Sequence, residues 1–237
     1  MLIINIITPF PSMFNILFNH SILNKAKTKN KVKYNIYDLF DYLDSPNHRI
    51  DDYPFGGNEG MILKPEPIYN VLKKINKGLN KKKHRVIFPS PDGDLFNHDI
   101  AKKMSEQNEL TFICGHYKGI DQRIRDEFVN DEISIGDFVL TSGELPSMII
   151  IDAIVRLKEG VLNNYISAKK DSFYEMLLDG PHYTRPRNFK GLMVPKILLS
   201  GNHKIIEEWF LKKRENKTKK RRIDLWNKYK SIKEDGA

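Results

Sequence analysis

The stretch ISIGDFVLTSGELP, residues 133–146, sets Gly136, Asp137, Ser142, Gly143, Glu144 and Pro146 between one apolar run and the next. Glycines and other small residues let main chain come close to a neighbour, leaving N–H and C=O groups within its reach. The chemistry open to such a loop is recognition of a polar small molecule by backbone. PSPDGD (89–94) and CGHYKGID (114–121) have the same make-up. Any one of the three is explained as an ordinary tight turn. The set is better explained as parts of one concave site.

A second chemistry lies in the tail. Residues 204–237 hold 12 Lys or Arg against 6 Asp or Glu, a surplus of 6 out of the chain's net +9. The run KKRENKTKKRR (212–222), with Trp209, Trp226 and Tyr229 alongside, suits phosphate neutralisation and base stacking. The alternatives are a solvated face for any single lysine, and a generally lysine-rich proteome for the total.

Positioning these groups requires a scaffold. Short β-branched runs at 2–8, 33–37, 85–88, 110–114 and 132–135 predict strands. Helical spacing falls between them, at 13–23, 67–76, 99–106, 121–128 and 147–157. Alternating strand and helix predicts an α/β domain with a mostly parallel sheet. All three glycine-bearing stretches then follow strands, on the edge where such sheets bind ligands. After Gly160 the texture changes. VLNNYISAKKDSF is polar and patternless, which predicts a linker, followed by a smaller helical and basic segment. The expected division is 1–160, a linker at 161–170, and 171–237. Asn202 in LSGNH has the look of a helix cap.

Several classes are excluded. The hydrophobic fraction of 40% supports a core, and no apolar run approaches the roughly 20 residues of a membrane span. MLIINIITPFPSMF lacks a basic start and a small-residue cleavage site, so a strand is expected there rather than a signal peptide. One cysteine, Cys114, permits neither a disulfide framework nor zinc-finger spacing, and a cytoplasmic protein is expected. The first strand leads into PFPSMF, which has no glycine, so the dinucleotide fingerprint is missing, as is a Walker A loop.

SPDG, CGHYKGIDQR, SIGDFVLTSGELP, LLDGPHYTRP and VPKILLSGNH together resemble the bacterial tRNA (guanine-N1)-methyltransferase family, TrmD, of the SPOUT class. The resemblance extends from ITPFPSMF through YPFGGNEGM to LLSGNHKIIEEWF. It implies a deep trefoil knot in the parallel-sheet domain, a small α-helical C-terminal domain that binds tRNA, and a homodimer with a shared active site. The implied reaction is methylation of guanine N1 at position 37 of tRNA, beside the anticodon on its 3′ side. The implied cofactor is S-adenosylmethionine, with no metal needed to activate the methyl group and no membrane partner.

The resemblance also implies site residues. For the cofactor these are Ser90, Pro91, Gly93, Gly115, Tyr117 and Gly119, the stretch Ile135, Gly136, Asp137, Phe138, Val139 and Leu140, and Gly143 and Pro146. Guanine N1 carries a proton, so the site needs a general base there and a cation near O6. By motif match the base is Asp171 and the cation is Arg156; on residue type alone, Asp171 reads more readily as a helix N-terminal residue beside Ser172, and the motif match reverses that preference. Tyr53, Gly56 and Gly57 are assigned to the guanine pocket. Asp179, His182 and Arg185 are assigned to substrate contacts, a structural role for His182 remaining open. Where the family shows Arg, Glu and Glu in CGRYEGIDER, this chain has His116, Lys118 and Gln122. Ser142 and Gly180 also depart from the pattern. A different SPOUT methyltransferase acting on ribosomal RNA, and a non-enzymatic RNA-binding protein, are the competing interpretations.

Overall fold

β1, Leu2–Thr8, lies inside the sheet, and its isoleucines alternate between two hydrophobic clusters: Ile4 and Ile6 face one, Ile7 the other. The computed structural model describes residues 1–45, 49–57, 59–75, 84–162 and 171–235. The chain divides into two compact units, Met1–Asn163 and Asn164–Ala237. The proposed linker at 161–170 falls almost wholly outside the described residues.

In the first unit β2 (Val32–Asp38) follows helices α1 (Pro11–Phe18) and α2 (Ser21–Thr28). A short antiparallel pair, β3 (Asp51–Asp52) and β4 (Ile62–Leu63), brackets the glycine-rich segment at 53–61. Then come α3 (Pro65–Ile75), β5 (His84–Leu95), α4 (His98–Ser105), β6 (Glu109–Ile113), α5 (Gln122–Phe128), β7 (Asp131–Ser134) and α6 (Glu144–Val155). The five main strands form one sheet in the order β2-β1-β6-β5-β7, and every pairing is parallel. Both faces are covered, as parallel sheets require. Phe14, Leu23, Ala101, Met104 and Ile150 cover one side; Ile68, Leu72 and Ile124 cover the other. The expected α/β sheet is therefore present.

Two expectations at element level are corrected. The single helix at 13–23 is two helices, with Asn19 capping the first and Ser21 in the left-handed region at φ 54°. Pro11 opens the first of them early, because its fixed φ suits a first turn. The strand at 85–88 does not stop before PSPDGD. It runs to Leu95, and both Pro89 and Asp94 register with Ile133 of β7. The residues between form a bulge that stands off the sheet's C-terminal edge.

In the second unit the described residues, from Asp171 onward, first form turns. A two-stranded hairpin, β8 (Asn188–Phe189) with β9 (Leu192–Met193), and a 3-10 turn at Lys196–Leu199 lead into α7 (His203–Arg221) and α8 (Ile223–Asp235). The Asn202 carboxamide accepts from Ile205 N at 3.3 Å, so the cap expected there is present. Among the described residues no helix is long and apolar enough to cross a membrane.

Candidate functional site

The bulge in β5, the turn after β6 and the loop after β7 meet at the C-terminal edge of the sheet and enclose a cleft of about 360 Å³. This volume is in the range of small-molecule sites. Of the predicted cofactor residues, Ser90, Pro91, Gly115, Tyr117, Gly119, Ile135, Gly136, Phe138, Val139, Leu140, Gly143 and Pro146 line it. Gly93 and Asp137 are not among the lining residues. A Cβ on Gly93 would lie 2.4 Å from the backbone of Glu132 and Ile133, so this glycine is required by close packing of the bulge on β7.

Gly143 is constrained in the same way. A Cβ there would stand 2.6 Å from Gly115 N and 2.9 Å from Cys114 Cα. Gly143 N donates to Gly115 O at 2.8 Å, drawing the post-β7 loop onto the post-β6 turn. The smallness read in the sequence as room for a ligand serves first to let two loops touch. Tyr117 stands in the cleft wall at φ 58°, a backbone region that non-glycine residues occupy at a cost.

Charge in the cleft was only partly legible. Arg125 reaches Asp92 at 2.9 Å and Glu132 at 2.5 Å, with its guanidinium over the Phe88 ring. A hydrogen bond from Ser90, then one from Arg125, holds the Asp92 carboxyl below its ordinary value, so an ionised acid lines the cleft. Residue type alone marks neither Asp92, inside PSPDGD, nor Arg125, just beyond CGHYKGIDQR, as part of the cleft. Lys118 also lines the cleft, and its methylenes lie against Gly60.

Glu144, in the first turn of α6, is fully buried. Thr8 Oγ1 donates to it at 2.6 Å, and His116 Nε2 donates to its two oxygens at 3.0 and 2.8 Å. Burial raises this carboxyl, but hydrogen bonds from His116, Thr8 and Ser142 outweigh it, and the group sits below its ordinary value. A carboxyl depressed in the folded state adds stability above its unfolded value, about 4.5, and that share is lost as pH falls through the lower folded value. Glu144→Gln should therefore melt below the parent at neutral pH, and the two should converge as pH falls below about 4.5. A melting gap that stays constant across that range would contradict the assignment.

Tyr53 is exposed and lines a separate recess of about 730 Å³ with Arg49, Phe55, Asp121 and Arg123. Gly56 and Gly57, at φ 91° and 77°, have open space around them and do not line that recess. Arg156 caps α6 and is half-buried in the first unit. Asp171, half-buried, belongs to the second unit. The loop that carries it is pinned to α7: Leu178 N donates to Thr218 Oγ1 at 2.8 Å, Lys217 to Asp179 O at 2.8 Å, and Arg214 to Glu175 at 2.8 Å. Asp179 N donates to Ser172 Oγ at 2.9 Å, and Asp179 holds exposed His182 at 2.7 Å. Burial raises the Asp179 carboxyl, but His182 and the Gly180 amide outweigh it and keep it below its ordinary value. Arg185 is exposed.

Glycine-bearing loops gathered over the C-terminal edge of a parallel sheet, above a cleft of small-molecule size, define an α/β protein built to grip a compact ligand. The sequence model of the family described as tRNA (Guanine-1)-methyltransferase TrmD matches residues 2–228. The chain belongs to that family. A tRNA (guanine-N(1)-)-methyltransferase of Clostridioides difficile (strain 630) is 48% identical over 224 residues, 94% of this chain and 97% of the relative. One from Clostridium tetani is 48% identical over 98% of this chain and 95% of its own. One from Bacillus cereus (strain AH820) is 48% identical over 94% and 91%.

Proposed function

We propose that the protein methylates N1 of guanosine 37 in tRNA, with S-adenosylmethionine as methyl donor and a homodimer as the working unit. The observation that carries this is the convergence of three glycine-bearing loops on one cleft, in a chain whose residues 2–228 match a guanine-N1 methyltransferase family. When bound, S-adenosylmethionine supplies an electrophilic methyl group. The cleft fits it in kind: apolar Pro91, Phe138, Leu140 and Pro146 offer walls for a flat base, and the loops bring main chain close.

The chain's own residues must solve a different problem. The lone pair on guanine N1 becomes available only when its proton leaves. Asp171 accepts that proton as the N1–methyl bond forms and the methyl–sulfur bond of the donor breaks, a neutral thioether leaving. A lone carboxylate is a weak base, so Arg156 is needed at O6, where negative charge builds up, to lower the demand on it. The threading of the loops into a trefoil knot belongs to the same proposal and follows from membership of the family. The dimer is supported by the outer face of α6. Leu145 and Ile149 are 44% and 52% exposed on a helix already buried on its other side, and Phe10 and Val139 add to the uncovered apolar surface.

The tail carries the tRNA phosphates in this account. Its lysines and arginines are not equivalent. Arg214 is buried against Glu175, Lys217 is tied to Asp179, and Arg222 is paired with Asp224. Truncation after Ser200 would thus also release the loop bearing Asp171, and charge removal is the cleaner probe. Neutralising exposed Lys219 and Lys220 should flatten the log–log salt dependence of tRNA affinity by about 1.5 units. An unchanged slope would make the run a solvated face.

Lys118 tests the donor. A cation lining a cleft that holds a sulfonium and an ammonium is unfavourable, so Lys118→Glu should tighten S-adenosylmethionine binding about fivefold, on the order of 1 kcal/mol for a two-unit charge change across a solvated gap. The neutral-sulfur product should gain less. Equal or weaker donor binding, by calorimetry, would mean that the ammonium points away.

A further inference from the structure

We infer that Glu144, beneath the cleft, and His116, in its wall, form a positioning pair that sets the post-β6 turn against the post-β7 loop so that the methyl donor is held. This rests on the donor cleft proposed above. Glu144 does not line the cleft, yet its partner His116 and the turn that carries it do. Thr8 ends β1; its hydroxyl donates to Glu144 at 2.6 Å and accepts from Phe10 N at 2.9 Å, so both of its capacities are used. His116 projects from the post-β6 turn, its ring 5.0 Å from that of Phe10. Ser142, on the post-β7 loop, forms a backbone bridge with His116. One buried carboxylate thereby ties together the chain after β1, β6 and β7.

A buried anion needs such partners, because an unpaired one is strongly disfavoured. The first turn of α6 adds its own favourable field. A pair serving stability alone could sit anywhere beneath the sheet. This one sits where displacement of any partner shifts Gly115, Tyr117, Ser142 or Gly143, each of which lines the cleft.

The test compares Glu144→Gln, His116→Gln and His116→Arg, with S-adenosylmethionine affinity measured by calorimetry and tRNA affinity by anisotropy, below the melting range of each variant. Glu144→Gln and His116→Gln should each weaken donor binding at least tenfold and raise the donor KM, with tRNA affinity within about twofold of the parent. The double variant should be no worse than the poorer single one, since both break one interaction. His116→Arg, which keeps N–H donors facing Glu144, should recover most of the loss. Parent-like donor binding in His116→Gln would overturn the pair. So would donor and tRNA affinities that fall together, or an arginine variant no better than the glutamine one. If Glu144→Gln fails to fold, the two His116 variants decide. Absence of donor binding in the unaltered protein would instead overturn the donor assignment itself.

Discussion

Asp171→Ala and Arg156→Ala should each abolish methyl transfer, and mixing the two inactive proteins should restore it. Loss of a general base costs about 10²–10⁴ in rate, and loss of a cation at developing charge costs a comparable factor. Neither change should disturb donor binding, because neither residue lines the cleft at the sheet edge. The recovery follows from the shared site. If Arg156 and Asp171 of one site come from different chains, subunit exchange at equal amounts makes half the dimers mixed. Each mixed dimer then holds one intact site and one doubly damaged site. Activity should return to about a quarter of the parent per site, if the two sites of a symmetric dimer act independently. Alternating sites would change the fraction but not the fact of recovery. No recovery, with exchange demonstrated, would put both residues on one chain.

Gly143→Ala should remove donor binding almost completely. The added methyl would meet Gly115 N at 2.6 Å and Cys114 Cα at 2.9 Å, and both obstacles are backbone that cannot rotate aside. Overpacking at a rigid site costs about 1–3 kcal/mol or more, and here the strain falls on the two loops that line the cleft. Donor affinity should drop by at least about a hundredfold, with the sheet's circular dichroism retained. Gly57→Ala is the control. Its methyl would meet nothing within 4 Å, leaving only the strain of φ 77°, so donor affinity should stay near that of the parent. Equal losses in the two variants would mean that loop contact at Gly143 has no special part in holding the donor.

Much of the fold was legible because its signals are local. Alternating isoleucines marked β1, β-branched runs marked the other long strands, and Asn202 announced the start of α7. The break between α1 and α2 was not legible, because Ser21 gives no hint in its type that it will take a left-handed conformation. The continuation of β5 through PSPDGD was hidden for a related reason. Two prolines and a glycine read as a turn, and only pairing with β7 turns them into a bulge.

The site divides in the same manner. Glycine spacing pointed to the three loops, and the family motifs to the residues within them, most of which line the cleft. What holds the loops together did not show. His116 and Glu144 are 28 residues apart, Thr8 and Glu144 are 136 apart, and no periodicity links such partners. Asp92 and Arg125, 33 residues apart, escaped notice for the same reason. The family motifs supplied Asp171 and Arg156, whose proposed roles leave no mark in spacing or composition.

The most direct test of the proposed reaction uses methyl-labelled S-adenosylmethionine and unmodified tRNA carrying guanosine at position 37. After incubation with the protein, the tRNA is digested to nucleosides, and the labelled product is identified and mapped. The account predicts label in N1-methylguanosine, at position 37, and none when that guanosine is replaced. Label in another nucleoside or at another position, or label in ribosomal RNA with none in tRNA, would contradict it.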